Sequence, residues 1–481
     1  MKKAAALLAT AVVLSGSPVH AAATFEFLFD GGAPQCVSSD GKVVAGNGLT
    51  GGFIPYRWTQ AGGFVSLGRP QIVGGAGIPG MSADGTHIAS GIGSLDSSYT
   101  TQGLWRLGSG WQELMPPPPA GGGMQDGSYG SVWGLSGNGE VVVGLYNRPG
   151  VGNRGHACKW TQATGVVDLG GMLSGQAGRA NGVNFDGSVI VGWVETPHGP
   201  WRPAAWDNGT LVLLTNFFEG TQFLFGDGEA RAANFTGDII TGFSRDSLTH
   251  TRSATMWKRT NGVWGPPQIL GVVAGTEPGT PSSNGGINIA SGVSYDGHIA
   301  VGYCSFDGSP FGTTGFVWTQ ATGVIDVNEF LANNGVLVDP NFTIQNMTTM
   351  TPDGRQLFGY GQMLVAPYTR KAFKITLNVT AGVSGPATAP AVMLSVPQPN
   401  PSSTATRLDF DLASSTKVEL AVFDAAGRRV ATLTDGELPA GRHSATWDGR
   451  AAGGDRAAAG LYFARLITPQ GAVSRRIVRS N

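Results

Sequence analysis

The stretch Val37-Ser38-Ser39-Asp40-Gly41-Lys42-Val43-Val44-Ala45-Gly46 places a tight turn before a short apolar run that closes on glycine. Asp-Gly between two apolar runs is a strong local hairpin signal, because a type I′ turn needs positive φ at both central residues. The unit recurs. Its turn returns as Asp84-Gly85, Asn138-Gly139, Asp186-Gly187, Thr236-Gly237, Asp296-Gly297 and Asp353-Gly354. Thr236 makes the weakest copy, since a β-branched residue resists positive φ. The closing glycines are Gly46, Gly91, Gly144, Gly192, Gly242, Gly302 and Gly359. From 17 to 21 residues after each turn glycine comes an aromatic: Trp58, Trp105, Trp160, Trp206, Trp257, Trp318 and finally Phe373.

Working outward from the turn, each unit reads as four short strands. One precedes the turn (Ile289–Ser294), one follows it (Ser188–Gly192), a third carries the aromatic (His156–Trp160), and a fourth follows a polar turn (Gly165–Leu169, Gly323–Val327). Four strands at a spacing of roughly 50 residues describe a propeller blade, whereas a β-solenoid repeats at about half that length or less. Seven units predict an all-β, seven-bladed β-propeller. The seventh unit has its third strand, Lys371–Leu377, and no fourth. Phe25–Phe29, ahead of the first unit, is placed to supply it and seal the ring, which removes an exposed sheet edge.

Composition agrees. The chain has 481 residues, 76 of them Gly, with 13% charged residues and a net charge of −1. Abundant Gly suits many tight turns, and near-neutrality gives no nucleic-acid footprint. Lys2 and Lys3, the apolar run Ala4–Ser15 and a small-residue site ending at Ala21 or Ala23 read as a signal peptide over residues 1–23, too short to span a bilayer. Its removal takes the net charge from −1 to −3. No later segment reads as transmembrane, and the expected location is secreted or cell-surface. Cys36, Cys158 and Cys304 lie in unlike contexts and read as single buried thiols, with one opportunistic bridge as the alternative.

After the propeller (24–377), residues 378–397 are rich in Ala, Pro, Ser, Thr and Gly and read as a linker. Alternating strands resume at Arg407–Leu412, Val418–Phe423, Arg429–Leu433, His443–Trp447, Leu461–Leu466 and Val473–Val478, predicting a small immunoglobulin-like β-sandwich over 398–481.

Tyr56-Arg57-Trp58-Thr59-Gln60-Ala61 with Val65-Ser66-Leu67-Gly68 resembles the extracellular HAF-type repeat. So does Lys159-Trp160-Thr161-Gln162-Ala163 with Val167-Asp168-Leu169-Gly170. The Ser-x-Asp-Gly turn is similar to repeats of Tol-type periplasmic propellers. The resemblance runs over residues 25–377 and implies architecture rather than activity. Further on, Pro399-Asn400-Pro401, Phe423-Asp424-Ala425-Ala426-Gly427-Arg428, Leu438-Pro439-Ala440-Gly441, Trp447-Asp448-Gly449-Arg450 and Ala459-Gly460-Leu461-Tyr462-Phe463 resemble flagellar hook-capping immunoglobulin-like domains. They are similar as well to the C-terminal sorting domains of type IX-secreted proteins. That resemblance implies outer-surface delivery by secretion machinery, although the basic end Arg475-Arg476-Ile477-Val478-Arg479 departs from the Lys of many sorting signals. A purely structural sandwich is the alternative.

Catalytic chemistry leaves little trace. His87, His156, His198, His250, His298 and His443 show no ligand spacing, and no Cys-x-x-Cys is present, so no metal and no cofactor is expected. Gly80–Asp84 and Gly292–Asp296 lack the second glycine of a nucleophile elbow, and the turn aspartates serve turns. Loops between second and third strands, and between blades, vary most and share one face, where binding is expected. Trp193, Phe243, Tyr303 and Tyr360 directly follow closing glycines, and Trp133 and Trp201 add flat surfaces suited to a glycan or a protein ligand. Blade packing is the competing account of these six. The function expected is a non-enzymatic binding or structural module. The alternative is a carbohydrate-active lyase or hydrolase using acids such as Glu195 or Asp227.

Overall fold

The computed structural model describes residues 23–480, except 49–52, 73–76, 97, 116–128, 148–154, 174, 198–200, 217–227, 246–251, 274–286, 306–312, 378–391 and short stretches (395–396, 398, 400–401, 413–414, 425–427, 440, 470) of the C-terminal part. Among the described residues, seven antiparallel units follow one another along the chain. The fourth blade is typical, with strands Gly178–Val183, Val189–Glu195, Trp201–Asp207 and Thr210–Leu213 in simple sequential order. Blades five and six are continuous through a single parallel bridge between Arg252 and Ile287. The seventh blade pairs Phe342–Met350, Gln356–Met363 and Arg370–Leu377, and its outer strand is Ala23–Asp30 from the front of the chain.

That closure is built from a register of apolar and charged pairs. Phe25, Phe27 and Phe29 lie opposite Ile375, Phe373 and Ala372. Phe25 stacks on Phe373 at 5.0 Å, while Phe29 leans on Tyr56 (5.2 Å) and Trp58 (5.6 Å) of the first blade. One strand thus completes the last blade and packs on the first. Lys371 and Lys374 pair with Asp30 and Glu26 along the strand.

The repeated turn is a hydrogen-bonded device rather than a type I′ turn. Its glycine alone has positive φ in every copy, for example Gly41 at 73° and Gly187 at 79°, and none of the turn Asp, Asn or Thr residues does. The expected type I′ geometry is therefore corrected, and Thr236 carries no positive-φ strain. In the first copy Ser38 Oγ donates to Asp40 Oδ1 (2.7 Å) and accepts from Val43 N (2.9 Å), and Asp40 Oδ1 accepts from Lys42 N (3.1 Å). Ser82, Ser136, Ser294 and Thr351 repeat this pattern, and Asn184 substitutes its amide for the hydroxyl. Short polar side chains that satisfy turn N–H groups are why Ser, Asn, Asp and Gly recur here.

These turns are also linked around the ring. Ser39 N donates to Ala83 O, Ala83 N to Gly137 O, Asn138 N to Phe185 O, and Phe185 N to Phe235 O. Asn234 Nδ2 reaches Tyr295 O, Tyr295 N reaches Pro352 O, and Gln356 Nε2 returns to Asp40 O. The circuit closes after seven turns. Between blades, the repeated aromatics fill the core, with Trp206, Trp257 and Phe373 at 1%, 0% and 0% exposure. Trp206 and Trp257 also donate Nε1 to Leu169 O (2.9 Å) and Thr215 O (2.8 Å) of the preceding blade.

Helix α1 (Val327–Asn333) begins where the sixth blade's fourth strand, Gly323–Asp326, was expected to run on to Val327. Asp326 caps it, accepting from Asn328 N at 2.7 Å, and Val327, Phe330 and Leu331 pack into the seventh blade's core.

The C-terminal sandwich has a three-stranded sheet (Val392–Leu394, Thr406–Leu412, Gly441–Trp447) facing a four-stranded one (Arg429–Leu438, Thr416–Asp424, Gly460–Thr468, Gly471–Arg479). Val392–Leu394 lies within the stretch read as linker, and Leu394 is fully buried in the sandwich core. Arg479, part of the basic end, is held by Ala457 O (2.9 Å) and Thr404 O (3.0 Å). The three cysteines sit on separate blades and form no disulfide, and burial pushes the Cys158 thiol up to about 12.

Candidate binding site in the central channel

The innermost strands carry a shared irregularity. The third, fourth, fifth, sixth and seventh blades each place a β-bulge at Trp133, Asn181, Arg231, Ser291 and Thr348. Each is the third residue before the polar residue that opens its turn (Ser136, Asn184, Asn234, Ser294, Thr351). The same offset gives Gln35 and Pro79 in the first two blades. A bulge leaves one residue outside the ladder and re-aims its side chain. Here it points to the axis: Gln35, Pro79, Trp133, Arg231, Ser291 and Thr348 line one cavity of about 390 Å³.

The closing glycines answer to the same bulge. A Cβ on Gly192 would lie 1.9 Å from Arg179 O, and on Gly144, Gly242 and Gly302 it would lie 2.0, 2.0 and 1.9 Å from Ser131 O, Glu229 O and Ile289 O. The bulged strand presses its carbonyl against the neighbouring strand, and only a residue without a side chain fits.

Two of the carbonyl-bearing residues put charge beside the channel wall, against Trp133 and Arg231. Arg179 Nη2 donates to Glu229 Oε2 at 2.9 Å, and Arg179 Nε to Asn181 Oδ1 at 2.6 Å. Asn181 Nδ2 adds bonds to Glu229 Oε2 (3.3 Å) and Ala230 O (2.8 Å). Arg231 Nε lies 3.1 Å from the same carboxylate, near enough to pair charges but off the line of a hydrogen bond. The Arg179 guanidinium lies 3.8 Å over the Trp133 ring, whose Nε1 donates to Ser131 Oγ. Burial pulls Arg179 down to about 10, with Glu229 opposing, so it stays charged at neutral pH.

Arg231 lines both this cavity and a second, of about 240 Å³, that continues toward the turn face between Gly137, Phe185 and Phe235. It therefore stands at the neck of the channel. The wider cavity opens on the long-loop face, where Asn47, Phe53, Tyr303, Tyr360 and Arg370 complete its wall. Arg370 lies 4.9 Å from the Tyr360 ring and meets no carboxylate among the described residues. Burial raises the Tyr303 hydroxyl's pKa, with Tyr360 and Glu229 pushing the same way and Arg231 opposing.

The six aromatic candidates divide. Trp133, Tyr303 and Tyr360 meet at the cavity. Trp193 is 5% exposed and stacks on Trp201 at 4.2 Å, away from it; Trp201 is 38% exposed, and Phe243 is buried under Arg252. Glu195 accepts from Ala177 N at 3.1 Å and is not on the cavity wall, and Asp227, His198 and His250 lie outside the described residues. Among the described residues no three His, Cys, Asp or Glu side chains gather as metal ligands, and no helix is long and apolar enough to cross a membrane. Arg179, Glu229, Arg231 and Arg370 are additions the sequence reading did not single out. Their signal was charge flanked by small residues, as in Gly228-Glu229-Ala230-Arg231-Ala232.

Residues 400–466 match the family described as FlgD Ig-like domain. No match to a curated protein was found. Among solved structures, TolB from Acinetobacter baumannii is 11% identical, covering 69% of this chain and 63% of its own, with a TM-score of 0.35. The β-propeller domain of the Trilobed protease from Pyrococcus furiosus is 10% identical, covering 74% and 99%, with a TM-score of 0.42. A fungal alcohol oxidase of the AA5 family is 13% identical, covering 95% and 98%, with a TM-score of 0.38.

Proposed function

We propose that this chain is an exported binding protein whose ligand enters the propeller channel from the long-loop face, without being chemically changed there. The observation that carries this reading is the convergence of Trp133, Tyr303 and Tyr360 with Arg231 and Arg370 around one concave recess. Such a recess, apolar faces with a few directed polar groups, is the usual form of a ligand site. The HAF-type resemblance, the signal-peptide pattern of residues 1–23 and the sorting-type resemblance of residues 398–481 fit surface display, with the sandwich as the delivery or attachment module.

The test is a screen of oligosaccharides and short peptides against the purified mature chain by tryptophan fluorescence and calorimetry. A ligand should perturb the emission of the wild type, and Trp133→Ala should remove most of that change. Product release from any bound polysaccharide would replace this reading with the enzymatic one, and a ligand insensitive to Trp133→Ala would move the site elsewhere.

A further inference from the structure

We infer that the wider cavity recognises an acidic saccharide, with Arg370 gripping a sugar carboxylate, Arg231 adding positive charge at the neck, and Tyr303, Tyr360 and Trp133 facing the ring. This rests on the cavity being a ligand site, and names the class of ligand.

The charge balance is the first argument. Arg179 and Arg231 share the single carboxylate of Glu229, which leaves one positive charge over, and Arg370 adds another. No carboxylate among the described residues lines the wider cavity. Positive charges in a part-enclosed recess lose solvation that a counter-charge restores, and among the described residues the one carboxylate beside Arg231 is Glu229, already shared with Arg179. Arginine's planar fork matches a carboxylate with two parallel hydrogen bonds, so the cheapest compensation is a bound carboxylate.

Hydrogen bonding supplies the second. Asn346 puts an amide on the cavity wall. Asn47, Gln35 and Ser291 add further uncharged partners on the same wall. Flat rings interleaved with amides and hydroxyls suit the two kinds of surface of a sugar ring. An acidic peptide would satisfy the arginines but offers fewer hydroxyls for the amides.

The experiment titrates the full mature chain with uronic-acid trimers of the galacturono, glucurono and mannurono series. Parallel arms use their methyl esters, a sulfated neutral trimer and triglutamate. At least one uronate trimer should bind, with its ester weaker by roughly tenfold, and Arg370→Ala should weaken the acid by roughly tenfold while leaving the ester unchanged. Arg370→Lys, which keeps the charge and loses the fork, should fall between; circular dichroism of each variant checks that it is folded. Esters binding as well as acids, or Arg370→Ala leaving acid affinity intact, would overturn the charge assignment while sparing the site. Preference for the sulfated trimer would overturn the carboxylate, and preference for triglutamate the saccharide. Silence from every probe, with Trp133 emission unmoved, would remove the cavity as a site and this inference with it.

Discussion

At Gly192 a single missing carbon decides whether a blade can form. Its Cβ position is 1.9 Å from the Arg179 carbonyl, which is backbone and cannot swing aside. Gly192→Ala must therefore push two paired strands apart or flatten the bulge at Asn181, and overpacking of this kind costs about 3 kcal/mol. Urea denaturation monitored by circular dichroism checks it, and a loss under about 0.5 kcal/mol would show that the bulge yields freely. The glycine was legible in the sequence as a period, but its cause was not. A bulge adds a residue to one strand without changing the spacing of turn, glycine and aromatic, so period-two reading sends Trp133, Arg231 and their counterparts to a sheet face instead of the axis. For that reason the aromatics after the closing glycines drew attention, and the charged residues of the inner strands did not. Where chemistry was local, as in the hydroxyl-to-carboxylate bond of Ser38 and Asp40, sequence and structure agree on the element and differ only on its turn geometry.

Among elements, the strand Ala23–Asp30 carries the longest-range consequence. Phe25-Glu26-Phe27-Leu28-Phe29 was legible as the missing partner because the last unit lacked a fourth strand and this segment stands ahead of the first unit where one would lie. What the sequence left open was which of its two sites, after Ala21 or after Ala23, a signal peptide would use. Ala23 is fully buried in the seventh blade's core and lies opposite Leu377. Cleavage after Ala23 would delete that pair, whereas cleavage after Ala21 preserves the whole strand. If residues ahead of this strand act as the proposed signal peptide, the mature chain is expected to begin at Ala22, as N-terminal sequencing would read. A chain beginning at Thr24 would show that the first pair is dispensable for closure.

Across the whole molecule, two kinds of cooperativity meet in one chain. Each propeller blade buries its faces only against its neighbours: Val143, Ala157, Ala180, Ile190 and Trp206, from the third and fourth blades, form one cluster. Since the ring is sealed by pairs such as Asp30 and Lys371, 341 positions apart in sequence, no sector of it can be cut out without opening an edge. The sandwich is different. Its core, including Leu394, Leu408, Phe410, Val422, Trp447, Tyr462 and Ile477, draws on no propeller residue. It includes its own terminal strand, with Arg479 fastening that strand to Ala457 and Thr404. A fragment of residues 392–481 should thus fold alone and unfold cooperatively with about 5 kcal/mol of stability, the scale expected for a domain of this size. Thermal and urea melts of the fragment, set beside the intact chain, decide the matter. Matching midpoints for the fragment and one transition of the full-length protein would establish autonomy, and a fragment without cooperative unfolding would mean that the propeller holds the sandwich together. Removing the last strand, Gly471–Arg479, should abolish folding of the fragment, because Ile477 leaves the core and Arg479 releases its two carbonyls together.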